Sequence, residues 1–331
     1  DGVPAAANFN TDSLDETLDT ALYERVEIVR GATGLLSGAG SPSAAVNLVR
    51  KRADGRTFNG EADIVAGSWN DTRNVADVTA PLVPGGRVRA RLVGVYQHRD
   101  SFQDFYENEK QVLYGTVEAD LESGTLLTLG YDYQETLPQA NTWGSFPLFL
   151  ADGSRTDWRR SVTTAADWTY WNKRKQTAFA ELQQRLGNWT ARATFTHRQA
   201  DDNLALFYVY GFPDPQTGEG LVPYAYRNIV DTAQDSLDLY ASGPFTLFGR
   251  EHELVAGFNG SRVDVEGDEF AHGDLAEVGN FFEWDGSYPM PQFAGQGERI
   301  TEIDRRQSDL YAAARLSLAD PLKLIAGARH N

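Results

Sequence analysis

Most of the chain alternates apolar and polar residues with a period of two. In the stretch 87–96, small or apolar residues share one face and arginines share the other: Val88, Ala90, Leu92, Gly94 and Tyr96 against Arg87, Arg89 and Arg91. The same alternation recurs at 111–121, 127–134, 189–197 and 310–318. A period of two is that of a β-strand whose two faces meet different surroundings. The pattern predicts an all-β chain of roughly eleven strands, about ten of them complete.

The connections between these strands are of two kinds that alternate along the chain. Tight turns are predicted at 82–86, 122–124, 187–188 and 319–321, and long aromatic-rich loops at 99–110, 138–172, 201–230 and 265–302. Short turns at one end of a sheet and long loops at the other are typical of an outer-membrane barrel with periplasmic turns and extracellular loops. A large soluble sandwich with a solvated outer face is the alternative.

The two strand faces favour the membrane reading. One face is apolar and rich in small residues, as lipid allows, and the other carries Arg, Asp, Glu, Thr and Gln. Such polar side chains are costly in a packed core and suit a water-filled lumen. No apolar run approaches the roughly eighteen residues of a membrane-spanning helix, so a helical membrane protein is excluded.

Composition narrows the function classes. Cysteine is absent, which rules out disulfides and thiolate metal sites. The net charge of -17 argues against nucleic acid as a partner. The first residues lack the basic and apolar regions of a signal peptide, and the end lies in a strand-like run, so we expect a fragment cut at both ends.

The stretch Tyr23–Ala53 differs from the rest, because a glycine-rich loop separates two apolar runs. It resembles the C-terminal part of the plug domain of TonB-dependent outer-membrane receptors. The resemblance rests on three segments: Glu27 to Gly31, the small-residue loop Gly34 to Pro42, and Val46 to Lys51. Ala32 and Ala44-Ala45 depart from the commoner family pattern. The resulting form is similar to the branch that takes up ferric pyoverdine, coprogen and related hydroxamate-containing siderophores, and the similarity continues at 67–82, 89–102 and 142–177.

The resemblance implies a domain organisation. Residues 1–54 would be the C-terminal part of a plug, and residues 55–331 the N-terminal half of a barrel of roughly 22 strands. Such a wide barrel leaves an open lumen unless something fills it. The cations of the plug part are expected to pair with lumen carboxylates, the alternative being solvated loop charges: Arg25, Arg30, Arg50, Lys51 and Arg52.

The expected function is capture of a ferric siderophore, hydroxamate or mixed-type, and TonB-coupled import across the outer membrane of a Gram-negative bacterium. The resemblance implies TonB–ExbB–ExbD as energising partners through segments N-terminal to Asp1, contact with outer-membrane lipid and lipopolysaccharide, and a monomer. Import of another cargo such as cobalamin or a glycan, a passive porin, and a secreted β-rich enzyme or adhesin are the alternatives.

Sequence motifs for catalysis are missing. The five histidines are scattered without HExxH spacing, and neither a G-x-S-x-G elbow nor a phosphate loop occurs. No enzyme activity, cofactor or protein metal ligand is therefore expected, since a siderophore already fills the coordination sphere of iron.

Aromatic residues in the 138–172 loop are the candidate ligand contacts, because a chelated iron complex is bulky and partly apolar. The resemblance places siderophore contacts in the same segments. The predicted ligand-binding residues are Trp143, Phe146, Trp168, Tyr170 and Trp171, with Ser41 and Pro42 of the plug part. An aromatic girdle at headgroup level is the alternative for Trp168, Tyr170 and Trp171. Arg155, Arg159 and Arg160 could meet an anionic ligand or lipopolysaccharide phosphates, or form a solvated loop face.

Overall fold

The structure, a computed structural model, describes residues 18–30, 44–144 and 146–330. Thirteen strands lie within these ranges: β1 Tyr23–Arg30, β2 Ala44–Arg50, β3 Asn59–Ala66, β4 Thr72–Pro81, β5 Val88–Asp100, β6 Glu107–Asp120, β7 Thr125–Gln139, β8 Tyr170–Leu186, β9 Trp189–Tyr210, β10 Val222–Leu247, β11 Arg250–Glu269, β12 Glu298–Ala319 and β13 Leu322–His330. Short 3-10 helices occur at Thr20–Leu22, Pro84–Gly86, Glu122–Gly124 and Phe281–Glu283. None of the helices in the described ranges is long and apolar enough to cross a membrane.

Strands β3 to β13 form one antiparallel sheet in chain order. The count of eleven strands in the described part of the chain agrees with the sequence pattern. β1 and β2 pair separately as a two-stranded antiparallel sheet. We refer to the described residues 18–30 and 44–53 as the N-terminal segment. The sheet does not close on itself within the described residues, which makes it a partial barrel wall.

The two faces of the large sheet can be traced from its register. One row of paired neighbours crosses six strands: Thr128, Glu181, Thr194, Asp238, Asn259 and Asp309. Arg52 of the N-terminal segment bonds to the first two members of that row. The face that carries the row is therefore the lumen face, and the N-terminal segment occupies the lumen.

The opposite, outer face is apolar, as the alternation predicted. Leu92 in β5 and Leu310 in β12 are 59% and 61% exposed there. Leu113, Leu129, Phe195 and Leu239 lie on the same face between them. A continuous band of exposed apolar side chains is stable against lipid and unfavourable against water.

The lumen face is polar along most of the sheet but carries one apolar patch. Leu22 packs there against Val93, Val95, Val112, Tyr114 and Phe179, and all six are buried. These residues continue the lumen-facing positions of β5, β6 and β8. An apolar patch is tolerated in the lumen because the N-terminal segment covers it and removes it from water.

The turns and loops alternate between the two ends of the sheet. The turn end holds the short connections 82–87, 121–124, 187–188, 248–249 and 320–321; the loop end holds 67–71, 101–106, 140–169, 211–221 and 270–297. The predicted loop 201–230 is largely strand, because β9 and β10 extend well beyond the apolar band. The predicted loop 265–302 is shorter than expected, since β11 continues to Glu269 and β12 begins at Glu298. The predicted 99–110 loop is likewise shorter, and the tight turn at 248–249 was missed.

Candidate functional site

The N-terminal segment is fixed to the lumen face through Arg52. Its guanidinium donates to Glu118 at 2.5 Å, to Glu181 at 3.0 Å and to Thr128 at 2.8 Å. Both carboxylates are buried. Burial alone lowers the pKa of Arg52, but the charges of Glu181 and Glu118 outweigh it and hold this pKa above its ordinary value. Arg52 therefore stays charged and joins the segment to three different strands.

Lys51 makes a second connection. Its Nζ donates to Asp77 of β4 at 2.7 Å, and Arg91 of β5 donates to the same carboxylate through two bonds of 2.8 Å. The hydroxyl of Tyr114 donates to the backbone carbonyl of Lys51 at 2.6 Å. Arg89 donates to the carbonyl of Ala53 at 2.7 Å. The barrel wall bonds both the side chain of Lys51 and the backbone carbonyls of Lys51 and Ala53, so it fixes the backbone path of residues 51–53.

Asp19 makes the third connection, at the other end of the segment. It accepts bonds of 2.7 and 2.9 Å from Arg73, and Lys110 lies 3.4 Å away. Burial raises the pKa of Asp19, but the hydrogen bonds from Arg73 and from the Ala21 amide, together with the charges of Lys110 and Arg73, outweigh burial and hold this pKa below its usual value.

The predicted pairing of plug cations with lumen carboxylates is confirmed for Lys51 and Arg52. Arg25 instead pairs with Glu27 of its own strand. The guanidinium of Arg50 lies 4.6 Å from the ring centroid of Phe179 on the lumen face. Arg30 is exposed at the end of β1.

An aromatic cluster lies on the lumen face at the loop end. Trp143 contacts Tyr208 and Tyr226 with ring centroids 5.2 and 5.3 Å apart, and Tyr224 at 5.8 Å. Tyr224 is paired with Tyr208 across β9 and β10. The register of β9 and β10 has no shift from this cluster down to Asp238, so the tyrosines share the lumen face. Together they place flat apolar rings and phenol groups on the lumen face at the loop end.

Gly144 allows Trp143 to reach these tyrosines. Its φ is +81°, which favours glycine, and a Cβ at this position would lie 2.7 Å from the ring of Tyr208. The loop backbone therefore packs directly against the tyrosine ring.

Trp171 and Asn228 place hydrogen-bond donors below the aromatic cluster. Both are paired with Leu204 and lie on the lumen face. Among the described residues, Trp171 Nε1 and Asn228 Nδ2 are buried without a hydrogen-bond partner. A buried N–H that lacks a partner is a candidate donor to a ligand or to water. Tyr170, by the alternation of β8, lies on the outer face, where its hydroxyl is 3.4 Å from Asn203 Oδ1.

The outer side of the same β9–β10 hairpin carries a packed loop core. Phe207, which alternates with Tyr208, stacks on Tyr288 at 4.3 Å and on Trp284 at 5.8 Å. Trp168 packs against Phe207 and donates from Nε1 to the Tyr288 carbonyl at 2.8 Å. Loops 140–169, 211–221 and 270–297 are thus joined into one core, to which Ala166, Val209, Leu221, Ala225 and Phe281 also belong.

The remaining predicted residues have different positions. Phe146 is half-buried in the 140–169 loop, whereas Ser41 and Pro42 lie outside the described residues. Arg159 pairs with Asp104 at 2.6 Å, and Arg160 lies over the Phe102 ring at 4.6 Å. These two arginines therefore fasten loop 101–106 to loop 140–169. Arg155 is exposed and forms a β-bridge with Phe149.

The sequence interpretation missed Tyr208, Tyr224, Tyr226 and Asn228. A signal was present, because Tyr224, Tyr226 and Asn228 are spaced by two and so share one face of a strand. Treating 201–230 as a loop hid that spacing.

Comparisons with known proteins agree with this architecture. No family model matches the chain. The chain is 39% identical over 337 residues to the ferripyoverdine receptor of Pseudomonas aeruginosa, and the match covers 99% of this chain and 41% of the relative. It is 36% identical to the ferric-pyoverdine BN7/BN8 receptor of Pseudomonas putida, covering 99% and 41%. The chain thus spans about two fifths of the length of these relatives.

The solved structures that resemble this chain are also siderophore receptors. P. aeruginosa FpvA bound to a heterologous pyoverdine matches with a TM-score of 0.90 at 38% identity, covering 99% of this chain and 44% of that one. The alcaligin receptor FauA of Bordetella pertussis matches with a TM-score of 0.64 at 28% identity, covering 93% and 42%.

An apolar outer face, a lumen occupied by the N-terminal segment and an aromatic entrance define an outer-membrane receptor barrel. Over 99% of its length, the chain is similar to part of the outer-membrane siderophore receptors of the TonB-dependent family. The relatives are receptors, in agreement with the prediction that the chain is not an enzyme.

Proposed function

We propose that the protein binds a ferric siderophore of the pyoverdine-like, hydroxamate-containing or mixed class and imports it by TonB-coupled active transport. The observation that carries the proposal is the lumen-facing cluster of Trp143, Tyr208, Tyr224 and Tyr226 at the loop end, beyond the N-terminal segment. The similarity to ferric-pyoverdine receptors supports this class of ligand.

The chemistry of the cluster suits a bulky chelate. Aromatic rings give a large apolar contact area with little loss of conformational entropy, and their polar groups fix orientation. The buried N–H donors of Trp171 and Asn228 complement the anionic or carbonyl oxygens of a siderophore. The siderophore itself supplies all ligands of the iron, so the proposal includes neither a protein ligand to iron nor a cofactor.

The predicted site residues take two roles in this proposal. Trp143, Phe146 and Trp171 contact the siderophore, together with Ser41 and Pro42 of a plug spanning residues 1–54. Trp168 and Tyr170 hold the outer side of the wall and position the inner aromatic residues.

The proposed partners follow from the family. TonB–ExbB–ExbD would supply energy, lipid and lipopolysaccharide would surround the outer face of residues 55–331, and the receptor would act as a monomer. The loop end would face the exterior of the cell and the turn end the periplasm.

The test is direct binding of ferric pyoverdine to the purified full-length receptor in detergent, with isothermal titration and tryptophan fluorescence as readouts. Trp143→Ala is expected to weaken affinity by about tenfold, which corresponds to about 1.4 kcal/mol. Trp189→Phe is the matched control, because Trp189 covers Gly243 on the outer face at the turn end. Saturable binding of cobalamin with no response to ferric pyoverdine would overturn the ligand assignment, and steady ion conductance in planar bilayers would favour a porin.

A further inference from the structure

Four polar residues form a square on the outer face where β5 and β6 reach the loop end. His98 is paired with Glu109, and Asp100 with Glu107. The β5–β6 register has no shift, so every second residue of β5 from Leu92 onward lies on the outer face. His98 and Asp100 are among these residues. The square is therefore separate from the lumen-facing aromatic cluster.

Three of these side chains have metal-site geometry. Donor atoms of His98, Asp100 and Glu107 all lie within 4.8 Å of one another. His98 Nε2 is 3.5 Å from Asp100 Oδ1. Zinc bonds of about 2.0–2.2 Å at tetrahedral angles place neighbouring donor atoms roughly 3.3 Å apart, so little movement is needed to enclose an ion.

Neighbouring residues orient the carboxylates. Asn70 Nδ2 donates to Asp100 Oδ2 at 2.6 Å, and the Asp100 amide donates to the Trp69 carbonyl at 2.8 Å. Oδ1 of Asp100, the atom close to His98, is the one directed toward the proposed ion. Gln111 donates to Glu109 Oε1 at 2.9 Å and holds that carboxylate beside the site. Second-shell donors of this kind fix ligand orientation in metal sites.

The charge balance favours a cation. The square contains three carboxylates, whereas the nearby basic residues of β4, β5 and β6 lie at lumen-face positions: Arg73, Arg99 and Lys110. Arg73 and Lys110 bind Asp19 in the lumen. The named basic residues therefore lie on the opposite face from the three carboxylates of the square, which favours binding of a cation from solution.

We propose that His98, Asp100 and Glu107 bind a first-row divalent transition-metal ion of the Zn²⁺ type, with water completing its coordination. An imidazole beside two carboxylates suits Zn²⁺, whereas Ca²⁺ and Mg²⁺ prefer all-oxygen sites. The ion would join β5 to β6 at the base of loop 101–106, whose Asp104 is fastened to Arg159 at 2.6 Å. Zinc binding would therefore steady one side of the lumen entrance without contacting the siderophore.

The experiment titrates Zn²⁺ into the EDTA-treated full-length receptor in detergent and measures stoichiometry and affinity by isothermal titration. His98→Ala and Glu107→Gln are each expected to weaken the site by roughly tenfold or more. His197→Ala is the matched control, since His197 is also on the outer face but contacts one carboxylate, Asp235, at 2.7 Å. It should bind zinc like the wild type.

A second readout separates this site from adventitious binding. In hydrogen exchange, Zn²⁺ should slow exchange at 98–109 in the wild type and in His197→Ala, and should have no effect there in His98→Ala. Identical zinc titrations of the wild type, His98→Ala and Glu107→Gln would overturn the proposal. Equal protection of 98–109 by Ca²⁺ in the wild type and in His98→Ala would overturn the transition-metal assignment.

Discussion

Asp19 and Arg73 are joined by two hydrogen bonds, of 2.7 and 2.9 Å, that link the N-terminal segment to the barrel strand β4. The carboxylate is buried, with 4% of its side chain exposed, whereas Arg73 retains 23%. The pair therefore holds one end of the segment in a place that solvent barely reaches.

Asp19→Asn is expected to destabilise the N-terminal segment by about 2 kcal/mol, because the carboxylate that accepts two bonds from the charged guanidinium of Arg73 is replaced by a neutral amide. Since the native pKa of Asp19 lies below its unfolded value of about 3.9, the contribution is complete above roughly pH 4 and is lost as pH falls through the native pKa. Urea unfolding of the wild type and variant between pH 7 and pH 2 measures the difference. A difference that persists unchanged to pH 2 would contradict this assignment.

Arg52→Met is expected to destabilise the segment by no more than about 3 kcal/mol. The lost bonds leave buried Glu118 and Glu181 with fewer partners, although Arg89 still bonds Glu118 at 3.1 Å. Hydrogen exchange of residues 44–53 provides the measurement.

Arg25→Met is the control for Arg52→Met, since the side chains of Arg25 and Glu27 are 60% and 41% exposed. Solvent screens an exposed pair, so exchange in this variant should stay close to the wild type. Equal effects of the two variants would show that the lumen network does not fix the segment.

Gly144→Ala is expected to disrupt the aromatic cluster, because its new methyl would lie 2.7 Å from the Tyr208 ring. Gly153→Ala in the same loop is a close control: its φ is +83°, but nothing lies within 4 Å of the added carbon. Both variants bear the backbone cost of about 1–2 kcal/mol for a left-handed residue. Near-ultraviolet circular dichroism and ferric pyoverdine affinity should change more in Gly144→Ala, and matching losses would remove the role assigned to the Tyr208 contact.

Trp168→Phe is expected to loosen the outer loop core by about 1 kcal/mol, since the bond from Nε1 to the Tyr288 carbonyl is lost while an aromatic ring remains. Faster hydrogen exchange in 270–297 would register the change. Ferric pyoverdine affinity should fall less than in Trp143→Ala. A larger fall than in Trp143→Ala would make Trp168 a direct contact.

Much of the sheet could be predicted from the sequence, because alternation fixes which residues share a face. Leu92 and Arg91 were assigned to opposite faces on that basis, and the structure places them so. The Leu22 contacts could not be predicted in this way. Val93 and Val95 look like ordinary strand residues until a distant segment covers them.

The site was predicted less completely, because its parts come from different strands and loops. Trp143 is a recognisable candidate because it is an aromatic residue in a long loop. Its partner Tyr208 lies 65 positions later in the chain (208 − 143). Only pairing across β9 and β10 brings Tyr208 and Tyr224 together. The cluster lies where β9 and β10 extend beyond the apolar band. The polar sequence at 201–203 suggested a loop there instead of a strand.

The β9–β10 hairpin separates two sets of side chains that share one backbone, with Phe207 in the outer loop core and the neighbouring Tyr208 in the lumen. A substitution in loop 270–297 that shifts Tyr288 would move Phe207 and, through the strand, the rings on the opposite side. Cargo preference could therefore diverge between related receptors through changes in residues that never touch the cargo.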